Sequence, residues 1–256
     1  MIVCKSPAEI AKMRAASQLV AQILDELAAL VAPGVSTADL DAAAESKVRA
    51  GGAQAAFKGY HGYPATLCAS VNEQVIHGIP SRTPLKAGDI VSLDMGVKLN
   101  GYYGDSAVTV PVGAVGEDVS SLLRVTHEAL ERGIAQVKVG GRVSDIGHAI
   151  QLHVEAHGFS VVREFVGHGI GASLHEEPQI ANYGEPGRGP RLAEGMTLAI
   201  EPMVNMGKAA VKVLSDGWTA VTKDGSLSAH FEHTVAVTKN GPLVLTQRSV
   251  APAAAR

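Results

Sequence analysis

The chain has only two cysteines, Cys4 and Cys68, so no disulfide framework can hold it, and a reducing, cytoplasmic setting is expected. Charge of one sign is lacking too. The formal net charge is −3 with no basic stripe, which argues against a nucleic-acid surface. No apolar run reaches the ~18 residues of a membrane span. No signal segment is legible either, because Met1-Ile2-Val3-Cys4-Lys5 leads straight into a helix start. Linkers rich in proline or serine are absent, so the 256 residues are expected to form a single domain, with internal halves of about 1–112 and 113–248. The hydrophobic fraction of 46% and charged fraction of 18% fit a globular protein.

What is present is a repeat. Leu85-Lys86-Ala87-Gly88-Asp89-Ile90-Val91-Ser92-Leu93-Asp94 aligns with Leu192-Ala193-Glu194-Gly195-Met196-Thr197-Leu198-Ala199-Ile200-Glu201, about 107 residues on. Gly88 falls on Gly195 and Asp94 on Glu201. Each copy reads as an apolar core strand ending in an acid. A second strand with its own acid follows each copy: Gly104-Asp105-Ser106-Ala107-Val108 and Phe231-Glu232-His233-Thr234-Val235.

The helices repeat as well. Ser6-Pro7-Ala8-Glu9 is a capping box with proline at the first helical position, opening a helix to about Val31. A second helix is expected from Ser36-Thr37 to Gly51-Gly52. Two more are expected from about Asp118 to Lys138 and from Ser144 to His157. At a shift of about 106 residues, Gly34 meets Gly140 and Asp39 meets Asp145. Each half reads helix, helix, then strands, which predicts an α+β fold with helices backing a mostly antiparallel β-sheet. Phe57 to Pro64 reads as a loop lining a pocket, Asn182 to Pro190 as an irregular connection, and Ser249 to Arg256 as a fraying end.

A carboxylate on a core strand is costly to bury unless a cation or donor compensates it. Four such acids, Asp94, Asp105, Glu201 and Glu232, therefore point to one shared metal centre. Four acids and one imidazole nearly neutralise two divalent ions. The imidazole candidate is His168, in the glycine-rich loop Gly167-His168-Gly169-Ile170-Gly171. Alone it reads as structural; beside four acids it reads as a ligand. The same glycines superficially fit a dinucleotide fingerprint, but that motif needs a helix to begin there and Pro178 would interrupt one, so the reading is rejected.

His77 and His175, in loops beside strands, are candidates for hydrogen-bonding a substrate or a developing oxyanion. A solvated loop histidine is the other reading of each. His127, His148, His153 and His157 fall on amphipathic helices and read as solvated. Cys68 reads either as a small buried apolar residue or as part of a pocket.

Together, Asp94, Asp105, Gly167-His168-Gly169-Ile170-Gly171, His175-Glu176-Glu177-Pro178, Ile200-Glu201-Pro202-Met203-Val204 and Phe231-Glu232-His233-Thr234 resemble the methionine aminopeptidases, over nearly the whole chain to about Gln247. With no N-terminal extension or large insertion legible, the chain is similar to the short bacterial form of type I. The resemblance implies the pita-bread fold, two pseudo-symmetric halves in a single catalytic domain. It also implies a hydrolase that removes N-terminal methionine with two divalent metal ions, when the second residue is small and the amino terminus free. By that resemblance Asp94 chelates one metal, His168 and Glu201 hold the other, and Asp105 and Glu232 bridge both. Glu201 is then the proton shuttle, His77 a contact to the peptide nitrogen of the second residue, and His175 the stabiliser of the oxyanion.

Tyr60, Tyr63, Cys68 and Trp218 resemble the lining of the methionine pocket. Asn72 and Ser228 resemble positions near a monovalent cation site. Two positions depart from the pattern: Phe57 stands where cysteine is common, and Leu174 replaces an aromatic before His175. Co²⁺, Mn²⁺, Fe²⁺ or Zn²⁺ is the expected metal. Nascent polypeptide N-termini are the expected partners, with transient ribosome contact, no membrane association and a monomeric state. Two alternatives stand beside this reading: an Xaa-Pro aminopeptidase of the same fold, whose members usually carry a long extra N-terminal domain, and a metal-free scaffold, which would normally have lost ligands.

Overall fold

The structure, a computed structural model, describes residues 1–247, so the end segment Ser249 to Arg256 lies outside the described residues. Two helices lead the chain, α1 (Pro7–Leu30) and α2 (Thr37–Ala50), followed by β1 (Gln54–Ala55), β2 (Cys68–Val71), β3 (Gln74–Ile76), β4 (Ile90–Leu99) and β5 (Tyr102–Pro111). A second helix pair, α3 (Glu117–Ile134) and α4 (Val143–Ala156), precedes β6 (Ser160–Val161), β7 (Gly167–Gly169), β8 (Glu176–Ile180), β9 (Thr197–Ile200) and β10 (Met203–Asn205). The remaining strands are β11 (Val211–Val213), β12 (Ala220–Thr222), β13 (Ser228–His230), β14 (Glu232–Thr238) and β15 (Gly241–Val244).

Nine strands form the main sheet in the order β1-β4-β5-β14-β9-β7-β8, with β2 also on β4 and β15 also on β14. Two three-stranded sheets, β13-β10-β6 and β11-β12-β3, complete it. Among the described residues every strand pair is antiparallel, and the architecture is the expected α+β one.

Local chemistry sets the helix ends. The Ser6 hydroxyl accepts from Glu9 N, and Glu9 Oε2 accepts from Ser6 N at 2.7 Å, closing the capping box that starts α1. Met13, Ala16, Val20, Ile23, Leu24 and Leu27 of α1 are buried at helical spacing against β4 and β5. Each of Ile23, Leu24 and Leu27 contributes about 1.5–3 kcal/mol by leaving water, and Leu24→Ala would cost about 2–5 kcal/mol. The helix comes so close to β5 that a Cβ on Gly104 would stand 2.6 Å from Ser17 N. Helix α3 ends at Ile134 rather than near Lys138. Its last turn tightens, with Gln136 N donating to Gly133 O and Val137 N to Ile134 O, and this turns Val137 into the core.

The repeat seen in the sequence holds at the level of single hydrogen bonds. Gly34 N donates to Leu85 O at 2.8 Å, and Gly140 N to Leu192 O at 2.8 Å. Asp39 Oδ2 accepts from the N–H before α2 at 3.0 Å, and Asp145 Oδ2 from the N–H before α4 at 2.8 Å. Gly88 N donates to Val112 O and Gly195 N to Val237 O, both glycines turning in the left-handed region at φ 93° and 87°.

One pair of elements departs from the sequence symmetry. Strand β4 runs on through Asp94 to Leu99, whereas β9 stops at Ile200, because Pro202 has no N–H to offer a ladder. His153 also corrects an expectation: it is buried, with Nε2 3.0 Å from Glu128 Oε2 across the α3–α4 interface, while His127 and His157 are exposed.

Candidate metal centre

Register alone brings the acids together. Directly opposed residues on antiparallel strands share a face. Cys68 opposes Asp94, Asp94 opposes Ala107, and Ala107 opposes Glu232, a row across β2, β4, β5 and β14. Asp105 stands two residues before Ala107, opposite Gly96, and so shares that face. On the far side His168 opposes Ala199, Ala199 opposes Thr234, and Glu201 lies two residues beyond Ala199. Four of the five candidate ligands thus fall on one face of one sheet, and Glu201 stands just past the end of β9.

The seam between β5 and β14 has side chains where a ladder would run. Thr234 Oγ1 accepts from Asp105 N at 3.2 Å and donates to Asp105 O at 2.8 Å, and Ser106 Oγ donates to Glu232 O at 2.6 Å. His168 sits in strand β7, not in a loop. The glycines beside it permit this, because a Cβ on Gly167 would collide with Ala199 O and one on Gly169 with Glu177 O. No helix follows Gly171, so the dinucleotide reading fails in the structure as well.

Asp105 and Glu232 are each 3% exposed and His168 8%, and their ligand atoms lie within 4.8 Å of one another. Asp94 Oδ1, Asp105 Oδ1 and Glu232 Oε1 are buried with no hydrogen-bond partner among the described residues. Burial, then repulsion from Asp105, pushes Asp94 well above the usual carboxylate range. Burial raises Asp105 to about 7 against the Ser106 N–H that opposes it. Burial, then the neighbouring acids, raises Glu201 and Glu232 likewise. Orphaned oxygens, mutual repulsion and a shared face are what a cation would relieve, so the residues present fit divalent metal.

His168 Nδ1 lies 2.9 Å from Gly169 O. A carbonyl only accepts, so the ring proton sits on Nδ1 and the Nε2 lone pair is free, 3.6 Å from Glu201 Oε1. Burial, then the His175 ring, lowers His168 to about 3, which keeps it neutral.

All five candidate ligands and all six candidate substrate residues line one cavity of about 450 Å³. Tyr63 is buried there, its hydroxyl donating to Gly78 O at 2.9 Å, its ring edge-on to Trp218 at 5.1 Å. Cys68 is buried and lines the same cavity. Phe57 and Leu174 line the same cavity. Burial, then the charge of His175, lowers His77 to about 4, and its backbone is left-handed at φ 58°. Burial, then His61, lowers His175, whose ring stacks on Tyr60. Asn72 and Ser228 meet outside this lining, Ser228 N donating to Asn72 O at 3.0 Å.

Three residues escaped the sequence reading, and a fourth, His61, was covered there only as part of the Phe57 to Pro64 loop. His230 is 1% exposed with Nε2 3.6 Å from Glu201 Oε2. Asn182 Nδ2 holds the Glu201 carbonyl at 3.0 Å. Phe165 packs edge-on to His77 at 5.7 Å, and His61 joins the lining. His230 carried one signal, its place two residues before Glu232; Asn182 and Phe165 carried none, being set by long-range contact.

Comparison with known proteins agrees with this geometry. The sequence model of metallopeptidase family M24 matches residues 11–239. Methionine aminopeptidase 1 of Bacillus subtilis is 54% identical over 247 residues, 96% of this chain and 100% of that protein. Methionine aminopeptidase 1 of Mycobacterium tuberculosis is 47% identical over 249 residues, 94% of each chain. The crystal structure of methionine aminopeptidase from Thermotoga maritima matches with a TM-score of 0.95 at 49% identity, covering 97% of this chain and 100% of that one. Prolidase from Pyrococcus furiosus shares the fold alone, with a TM-score of 0.78 at 22% identity over 96% of this chain and 66% of that one. The chain belongs to metallopeptidase family M24, and within it to the methionine aminopeptidases.

Proposed function

We propose that this chain removes the N-terminal methionine of polypeptides whose amino terminus is free and whose second residue is small. The observation that carries the reading is the convergence of four acids and His168 on the same cavity as Tyr63, Cys68 and Trp218. Asp94 would hold one divalent ion, His168 and Glu201 the other, and Asp105 and Glu232 both. Bound there, two such ions supply Lewis-acid chemistry, polarising the scissile carbonyl and acidifying a water. Mn²⁺, Fe²⁺, Co²⁺ and Zn²⁺ all suit four carboxylates and one imidazole.

The chain's own residues do the rest. Glu201 takes the proton of the attacking water on its carboxylate and returns it to the leaving amine. His175 donates to the carbonyl oxygen as negative charge develops there. His77, held neutral by burial, contacts the peptide nitrogen of the second residue. The methionine side chain lies against Tyr63, Cys68 and Trp218, and the free α-amino group sits on the Asp94 side. Limited room beside the acids selects small second residues by steric exclusion.

The test compares Met-Ala-Ser, N-acetyl-Met-Ala-Ser and Ala-Pro-Ala on metal-reconstituted protein. Hydrolysis of Met-Ala-Ser alone is expected. Efficient cleavage of the acetylated peptide contradicts the amine placement, and preference for Ala-Pro-Ala would make the chain an Xaa-Pro aminopeptidase.

A further inference from the structure

We propose that His230 is a positioning residue for Glu201: its Nε2–H donates to Glu201 Oε2 and so turns Oε1 toward His168. The inference rests on the assignment of His168 and Glu201 to one cation.

His230 ends β13 with its backbone fully engaged. Its N–H donates to Thr109 Oγ1 at 2.8 Å and its carbonyl accepts from the same hydroxyl at 2.8 Å, which fixes the Cα. The ring is another matter. It is 1% exposed, and neither Nδ1 nor Nε2 has a hydrogen-bond partner among the described residues. A buried polar group left unmade costs about 1–3 kcal/mol, a cost that an apolar side chain of similar size would not carry. The imidazole is therefore poorly explained as packing.

Its ion-pair neighbour is Glu201. The carboxylate stands between two imidazoles, His168 Nε2 3.6 Å from Oε1 and His230 Nε2 3.6 Å from Oε2. The two rings are not equivalent. The Gly169 carbonyl fixes the proton of His168 on Nδ1, leaving Nε2 as a lone pair suited to a metal. Among the described residues nothing hydrogen-bonds to Nδ1 of His230. With a cation beside it Glu201 is ionised, and its facing oxygen then selects the Nε2–H tautomer, because a lone pair there would meet a second lone pair. A separation of 3.6 Å is longer than a hydrogen bond, and a turn of the carboxylate by under ~1 Å closes it. Asn182 Nδ2 already pins the Glu201 backbone carbonyl at 3.0 Å, so the carboxylate torsion is the freedom left to fix. Partners of this kind orient ligating carboxylates and tune metal affinity about 10–100-fold.

The experiment measures two things on the full chain. Ring ¹⁵N spectra of the Zn²⁺-loaded protein, in which Glu201 is ionised, report the His230 tautomer, and calorimetric titration of the stripped protein with Mn²⁺ reports affinity for wild type, His230→Leu, His230→Gln and His168→Ala. The expected results are the Nε2–H tautomer in wild type, Mn²⁺ affinity weakened about 10–100-fold in His230→Leu, and recovery to within about threefold in His230→Gln, whose amide N–H can reach the same oxygen. An Nδ1–H tautomer, or His230→Leu binding Mn²⁺ as wild type does, overturns the proposal. Should His230→Leu fail to fold, the wild-type tautomer decides. Mn²⁺ binding unchanged in His168→Ala would instead overturn the ligand assignment, which separates the two failures.

Discussion

The Tyr60 hydroxyl lies 2.8 Å from Nδ1 of His175, and the two rings stack with centroids 5.3 Å apart. A phenol donating to Nδ1 leaves the ring proton on Nε2, the tautomer an oxyanion donor needs. Tyr60→Phe is therefore expected to lower kcat about 3–10-fold with little change in KM, the value of one neutral hydrogen bond. His175→Ala should lower kcat about 10²–10³-fold, with metal content unchanged in both. In the double variant the Tyr60 effect should vanish, because it acts through the missing ring. A Tyr60 effect of full size in the His175→Ala background would contradict this.

The two thiols should differ sharply. Cys4 is exposed and Cys68 buried, and burial, then the nearby Asp94, pushes the Cys68 thiol far above its ordinary range. The thiolate is the reactive form. One thiol per native chain should react with a disulfide reagent, the second only after unfolding. Two equally fast thiols would contradict the placement of Cys68 in the sheet row beside Asp94.

Stability of the metal-stripped protein should fall as pH rises from about 6.5 to 8. Burial holds His77 near 4 and His168 and His230 near 3, against an ordinary 6.5, so their effect is confined to pH below 6.5, where stability rises with pH. Above 6.5 the unfolded histidines are neutral too, and the buried acids decide. The folded chain keeps protons on Asp94, Asp105, Glu201 and Glu232 that the unfolded chain has released, so the unfolded state binds fewer protons and stability drops with pH. Excess Mn²⁺ should abolish or reverse the slope, since the metal replaces those protons. Thermal melts across this window, with and without metal, check it; a rising Tm in the stripped protein would contradict it.

Much of this was legible in the sequence, for reasons visible in particular residues. The acids Asp94 and Glu201 stood out because buried carboxylates in apolar strands are costly, and their repeat about 107 residues apart located both strands. The capping box at Ser6 and the start expected at Ser36-Thr37 located two helix starts to within a residue. Register was not legible: nothing local says that Ala107 opposes both Asp94 and Glu232, the fact that gathers the candidate ligands. The strand at His168 was hidden too. Glycine usually marks a loop, yet here Gly167 and Gly169 serve the close approach of neighbouring backbones. His153 looked solvated from its helix face because its partner, Glu128, belongs to another helix.

The central claim is that Asp94, Asp105, His168, Glu201 and Glu232 bind two divalent ions on which methionine removal depends. Its most direct measurement is elemental analysis in parallel with Met-Ala-Ser hydrolysis, on wild type and Asp105→Ala, after chelation and stepwise return of Mn²⁺. The account predicts an inactive stripped protein, activity rising with metal to saturation at about two equivalents per chain, and loss of both metal and activity in Asp105→Ala. Full hydrolysis by the stripped protein, or an Asp105→Ala variant that keeps both ions at full occupancy, would contradict it.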